Sequence, residues 1–153
     1  MWVPPEDVDP ILLHAPTRES LGVFGAVSVA DGRLVTRCAA KFEAITSLDF
    51  LQMLLRHRRR NRRMWLVVDN ATWHHAQWLR PWLEDHRHVF HLDFLPPYSP
   101  ELNSMERVWK LTRRLRTHNR YFPVLDELLE AVCDQFYEWR APNSILRRLC
   151  AVI

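Results

Sequence analysis

Glycine is scarce in this chain: three residues among 153, at Gly22, Gly25 and Gly32. They cannot build a glycine-rich phosphate cradle or a Gly-x-Ser-x-Gly nucleophile elbow, so nucleotide-loop and serine-hydrolase chemistry are set aside. Cysteine is equally sparse. Cys38, Cys133 and Cys150 are odd in number, scattered and without Cys-x-x-Cys spacing, which suits reduced thiols rather than a disulfide framework. No apolar run approaches the roughly 18–20 residues of a membrane span, so no membrane partner is expected. The residues from Met1 to Asp7 carry neither a basic region nor an apolar core, and export is not expected either. Repeats and linker-like composition are also absent. The expectation is one cytoplasmic domain over residues 1–153, long enough to bury a core.

Positive charge is present in quantity, and its placement says more than the net value of +3. One cluster holds Arg58, Arg59, Arg60, Arg62 and Arg63; a second runs through Lys110, Arg113, Arg114, Arg116 and Arg120. Two such clusters suit a polyanion, with nucleic acid the commonest candidate, each backbone contact adding salt-sensitive affinity. The plain alternative is two solvated faces.

The order of elements follows from periodicity. Residues 1–20 hold four prolines and read as an irregular lead-in. Residues 21–29 form a β-type run closed by Asp31-Gly32, and residues 33–42 alternate well enough to be the hairpin partner. Leu48, Leu51, Leu54 and Leu55 then recur at helical spacing, with Thr46 or Ser47 as cap, in a helix expected to run into the arginines and stop near Asn61. Met64 to Val68 is continuously apolar and reads as a central strand. A helix is expected from His74 or Ala76 to Glu84, with Trp78, Leu79, Trp82 and Leu83 inward. A strand follows from Val89 to Leu95. Prolines 96, 97 and 100 forbid regular structure until a helix that carries Glu106, with Met105, Val108, Thr112 and Leu115 inward and Glu106, Lys110 and Arg113 on another face. A last helix begins after Pro123, and a tail follows Pro142. The core spans residues 21–122, followed by the C-terminal helix and tail over 123–153. Helices alternating with strands point to an α/β fold, a mixed sheet flanked by helices, with ligands at the carboxyl ends of strands.

Asp69 stands at such an end and Glu106 in a first helical turn. Two carboxylates of this kind can hold Mg²⁺ or Mn²⁺ for phosphodiester chemistry. Each also has a plain role: Asp69-Asn70 as a turn pair, Glu106 in a capping box with Asn103 or an ion pair with Lys110.

The stretches Asp69-Asn70-Ala71-Thr72-Trp73-His74 and Leu95-Pro96-Pro97-Tyr98-Ser99-Pro100-Glu101-Leu102-Asn103-Ser104-Met105-Glu106-Arg107-Val108-Trp109 closely resemble the catalytic domain of mariner-like transposases, nearest the bacterial insertion-sequence group of DDE superfamily endonucleases. The resemblance covers most of residues 20–120. It implies a ribonuclease-H-like fold and Mg²⁺-dependent (or Mn²⁺-dependent) DNA cleavage and strand transfer by three acids. Asp69 corresponds to the second acid and Glu106 to the third. His74 falls on the family's histidine, and Asn70, Lys110 and Arg113 are expected to contact substrate or orient the acids. The partners implied are transposon ends, target DNA and a second copy of the chain, at the bacterial nucleoid. Ser104 replaces the family's usual proline. No strand carrying the first aspartate is expected here, since Asp7 and Asp9 lie between prolines; nor is the family's helix-turn-helix. Two readings stay open: a catalytic domain completed by a segment from an upstream frame, or an inactive remnant that binds DNA or oligomerises.

Overall fold

The computed structural model describes residue 20 and residues 22–151. Apart from Ser20, the lead-in, with Asp7 and Asp9, lies outside them. Strand β1 (Gly22–Val27) and strand β2 (Leu34–Ala39) form the expected antiparallel hairpin, in a register that sets Gly22 opposite Ala39 and Val27 opposite Leu34. The turn depends on Gly32, whose φ of 75° is open to few residues with a side chain. A Cβ there would also strike the Asn143 carbonyl. Asp31 closes the turn from the other side, accepting from the Arg33 N–H at 3.2 Å and from Arg59 Nη2 at 2.8 Å.

Helix α1 (Ala44–Arg56) is capped at Glu43, whose N–H donates to Thr46 Oγ1 at 3.0 Å. It starts earlier than Thr46 or Ser47 would give, and it ends before the arginines. The N–H groups of His57 and Arg58 turn back to Leu54 and Leu55, and Asn61 takes a φ of 60°, so the basic run lies on a turn rather than a helix. Phe50, Leu51 and Leu54 of α1 are buried.

Strand β3 (Met64–Val68) pairs in parallel with strand β4 (Phe90–Phe94), Trp65 opposite His91 and Val67 opposite Asp93. Between them the chain makes two 3₁₀ turns, Thr72–His75 and Gln77–Leu79, and a short helix α2 (Arg80–Asp85). The longer helix expected here is interrupted at Ala76, whose backbone is not helical, and Pro81 is accommodated at the start of α2. Leu79 is buried, but Trp78 is exposed.

The two pairs share one cover without sharing hydrogen bonds. Phe24, Ala26 and Val35 of the hairpin pack in one cluster with Met64 and Leu66 of β3 and with Phe50 and Leu54 of α1. Among the described residues, β1 pairs only with β2 and β3 only with β4. Among the described residues Met64 to Val68 is paired on one edge and does not have two buried faces: alternate residues face outward, and Trp65 is 61% and Val67 56% exposed. A continuous apolar run gives a strand two buried faces only where something covers both.

The other face of the hairpin meets helix α3 (Ser104–Thr112), helix α4 (Leu125–Glu138) and helix α5 (Ser144–Cys150). Leu34, Val108, Phe136, Trp139, Leu146 and Cys150 form this core, with Val23 and Val27 of β1 against it. The expected tail after Pro142 is thus a helix that buries Leu146 and Cys150, its start capped by Asn143 Oδ1 on the N–H groups of Ile145 and Leu146. Leu115, expected inward, is 45% exposed, because Arg113–Thr117 winds as a π turn. The wider turn carries the side chains after Thr112 out of the helical phase that the sequence suggests. The whole is mixed α/β with helices flanking small sheets, consistent with a ribonuclease-H-like nuclease fold.

Gly25 sets how close α3 comes to β1. A Cβ there would lie 2.5 Å from Met105 Cε and 2.8 Å from the Trp109 ring. Met105 has room to swing; Trp109 is held edge-on against Phe136 at 5.7 Å between centroids. Gly25→Val is expected to lower the urea unfolding midpoint at unchanged slope, by an amount equivalent to about 1–3 kcal/mol. An unchanged midpoint would show that α3 does not rest on this contact.

Candidate functional site

The β3–β4 ladder runs one bond past the strands, since the Leu95 N–H donates to the Val68 carbonyl at 2.8 Å. Asp69 and Leu95 therefore leave the same end of a parallel pair. Asn70 ties the two exits together. Its Nδ2 donates to the Leu95 carbonyl, while Oδ1 faces His75 Nε2 at 3.3 Å. His75 in turn stacks on Phe94 with centroids 4.2 Å apart. The amide expected to touch substrate thus joins the strand end to the proline loop.

The Asp69 side chain is 57% exposed. Its Oδ1 accepts from the Ala71 N–H at 3.1 Å, the turn pairing that its sequence context suggests. His74 Nε2 faces the same oxygen at 3.9 Å, too long for a hydrogen bond but close enough for electrostatic contact. No partner is recorded for Oδ2 among the described residues. His74 is 11% exposed, and its Nδ1 lies 3.1 Å from the hydroxyl of Ser47, a buried residue of α1. Sequence reasoning placed Ser47 only as a helix cap; its contact with a residue 27 positions away has no local signal.

Glu106 occupies the first turn of α3, half-buried. Asn103 caps the helix through Oδ1 on the Met105 N–H at 3.0 Å, and its carbonyl accepts from the Glu106 N–H at 3.1 Å. Among the described residues the Glu106 carboxylate makes neither the capping-box bond to Asn103 nor an ion pair with Lys110. Its neighbour Arg107, passed over in the sequence, clamps the loop. Nη2 donates to the Glu101 carbonyl at 3.0 Å and Nη1 to the Leu149 carbonyl at 3.2 Å. Lys110 and Arg113 are exposed along the same helix and its extension. Arg116 is not available in this way, being tied to Gln135 at 2.9 Å and Glu138 at 3.3 Å.

The basic turn is partly engaged. Arg58 Nη1 donates to the Arg62 carbonyl at 2.7 Å, Arg59 pairs with Asp31, and the Arg63 guanidinium lies 5.7 Å from the Trp65 ring centre. Arg60 and Arg62 are exposed.

The structure therefore brings His74 to within 3.9 Å of Asp69, with Asn70 beside them turned to Leu95 and His75, and sets Glu106, Lys110 and Arg113 along α3. No hydrogen bond or ion pair joins the two groups among the described residues. Nor, among those residues, do three His, Cys, Asp or Glu side chains come together as a metal-holding group. Two carboxylates with uncommitted oxygens are hard donors of the kind that Mg²⁺ or Mn²⁺ accepts alongside water; a third is not supplied by the described residues.

The family model for DDE superfamily endonuclease matches residues 1–129, taking in all four strands and both acids. The chain belongs to this family. Its members are transposase-type nucleases that generally use divalent metals. The uncharacterized protein y4pE/y4sA of Sinorhizobium fredii is 38% identical over 68 residues, 44% of this chain. The chain spans 47% of that relative's length. No helix among the described residues is long and apolar enough to cross a membrane.

Burial holds the His74 imidazole below its ordinary pKa of 6.5, opposed by the charge of Asp69 and assisted by that of His75. The sign follows. The unfolded chain takes up this proton near 6.5 and the folded chain only at lower pH, so stability falls as pH drops below about 6.5 until the folded group titrates too. His74→Gln is expected to flatten that part of the curve in urea unfolding between about pH 8 and 5. An unchanged slope would mean that His74 titrates alike in both states.

Proposed function

We propose that this chain is the catalytic part of a mariner-like bacterial insertion-sequence transposase, cutting DNA strands and joining them to a target with Mg²⁺ or Mn²⁺. The observation that carries the reading is the state of the two carboxylates. Asp69 and Glu106 stand at a strand end and a helix start, while neighbouring groups take over the structural work that would otherwise occupy them. Asn103 caps α3, Asn70 and His75 join the strand exits, and Arg107 fastens the loop. Asp69 Oδ1 is used by the turn, but Asp69 Oδ2 and the Glu106 carboxylate have no partner among the described residues, and cation binding would use them. Asp69 and Glu106 would hold the ions, which when bound activate water or a hydroxyl and stabilise the leaving oxygen. Lys110 and Arg113, along the helix of Glu106, would meet phosphates. Arg60, Arg62 and their neighbours Arg58, Arg59 and Arg63 would track the DNA backbone.

The third carboxylate would come on a strand between the edges of β1 and β3 that are unpaired among the described residues, supplied by an upstream-frame segment. The edges left open among the described residues and the exposed Trp65 and Val67 support such an addition, since unpaired edges and bare apolar faces invite a further strand. The same observation supports the rival reading, in which no such strand is added and the chain is an inactive remnant that binds DNA or oligomerises.

Supercoiled plasmid incubated with Mg²⁺ separates the two. The catalytic reading expects nicking in the protein joined to its upstream segment, with Asp69→Asn and Glu106→Gln each losing at least about a hundredfold in rate, some 2.7 kcal/mol. Absence of nicking with DNA binding retained would favour the remnant. Binding should weaken with salt, and Arg60→Ala with Arg62→Ala should reduce the slope of log affinity against log salt by about 0.9 for each phosphate contact removed. An unchanged slope would remove those two arginines from the DNA path.

A further inference from the structure

The buried hydroxyl behind His74 carries an assignment that the sequence does not suggest. Ser47 sits on the buried face of α1 at 1% exposure, and its Oγ lies 3.1 Å from His74 Nδ1. Its backbone N–H is already used by the Glu43 carbonyl at 2.9 Å, which also takes the Thr46 hydroxyl at 3.0 Å. Among the described residues the Ser47 hydroxyl has no recorded acceptor other than His74 Nδ1. A buried hydroxyl proton without an acceptor costs roughly 1–3 kcal/mol, so the serine is the donor and Nδ1 the acceptor. One ring nitrogen thus holds a lone pair toward Ser47, and the ring proton belongs on Nε2. That nitrogen faces Asp69 Oδ1 at 3.9 Å.

We infer that Ser47 is a positioning residue for the cation site, acting through His74: it fixes the imidazole as the Nε2–H tautomer, so that an N–H rather than a bare lone pair is turned toward Asp69. The inference rests on the reading of Asp69 as a cation ligand. With the N–H of Ala71 and of His74 both directed at Oδ1, that oxygen is the held one, and Oδ2 is the one presented outward. Metal-binding carboxylates and imidazoles are oriented by such outer partners. Here the chain of orientation begins on α1, the helix that bridges the two strand pairs, so the geometry of the strand end is coupled to the core. Without the hydroxyl, Nδ1 would be a buried acceptor with nothing to accept. The ring would then lose its anchor on α1 and be free to turn, so that its N–H would no longer be held toward Asp69.

The tautomer is readable without any catalysis. In ¹⁵N-labelled full-length chain at about pH 7.5, where neutral imidazole dominates, long-range ¹H–¹⁵N correlations should show His74 with Nε2 protonated and Nδ1 bare. A proton on Nδ1, or an even mixture, overturns the inference, and this holds even if every Ser47 variant fails to fold. A Mg²⁺ titration followed at the Asp69 and Ala71 amides supplies the second readout. Ser47→Ala should weaken the Mg²⁺ response about tenfold and shift the His74 Nδ1 resonance by loss of its hydrogen bond, as removing an outer partner of a ligand does. Ser47→Thr, which keeps the hydroxyl, should restore both. Equal Mg²⁺ affinity in Ser47→Ala and the parent chain, or no Asp69-dependent response in the parent, removes the positioning role. A chain that shows the expected tautomer and Mg²⁺ response but cuts no DNA counts against the nuclease reading and for this one.

Discussion

Helix α1 packs on two strand pairs that, among the described residues, share no ladder of hydrogen bonds. Phe50 and Leu54 pack against Phe24, Ala26 and Val35 on one side and against Met64 and Leu66 on the other. Everything at the end of β3 inherits its position from that apolar contact. Burial of this kind is non-directional, worth roughly 1.5–3 kcal/mol for each large side chain, and it needs no continuous ladder to hold two strand pairs in one layer. The ladder is where specificity would otherwise come from. In its absence, polar staples set the fine geometry: Asn70 to the Leu95 carbonyl, Ser47 to His74, and Arg107 to the Glu101 and Leu149 carbonyls.

The second constraint is the missing side chain at Gly25. It lets Met105 and Trp109 lie directly on β1, which seats α3 and hence Glu106. The core on that side, from Val108 and Phe136 to Leu146 and Cys150, also explains why the last stretch of the chain is helical rather than a tail. Each acid is thus delivered by a different core: Asp69 by the cluster under α1, Glu106 by the cluster under α3, α4 and α5. A site divided in this way responds to packing changes far from its carboxylates, because either core can shift one acid without moving the other.

Much of this was legible in the residues. Asp31-Gly32 between two β-type runs marked the hairpin, and the prolines at 96, 97 and 100 marked an irregular loop before a helix capped at Asn103. The misreadings share a cause. Met64 to Val68 is apolar throughout and so looked buried on both faces, yet Trp65 and Val67 are exposed, because burial depends on what covers them rather than on their type. Leu115 kept the helical spacing, but a π turn moved the phase. The stretch after Pro142 was too short for periodicity to show, although Asn143 before Ser144 was a capping signal. Ser47, His75 and Arg107 act across 27, 5 and 42 positions, through contacts that local pattern does not encode.

By itself, the sequence determined which residues are the unusual ones: an acid at a strand end, an acid at a helix start, and basic runs near each. It could do so because residue chemistry and short-range spacing are local properties. Tertiary structure alone decided which of their atoms are already engaged. Asp69 Oδ1 is held, and the carboxylate of Glu106 has no partner among the described residues. Arg59 and Arg116 are tied up in pairs, and Arg60 and Arg62 stand in solvent. Hydrogen-bond partners are settled by packing between distant segments, and burial makes each unsatisfied group costly enough to enforce the choice.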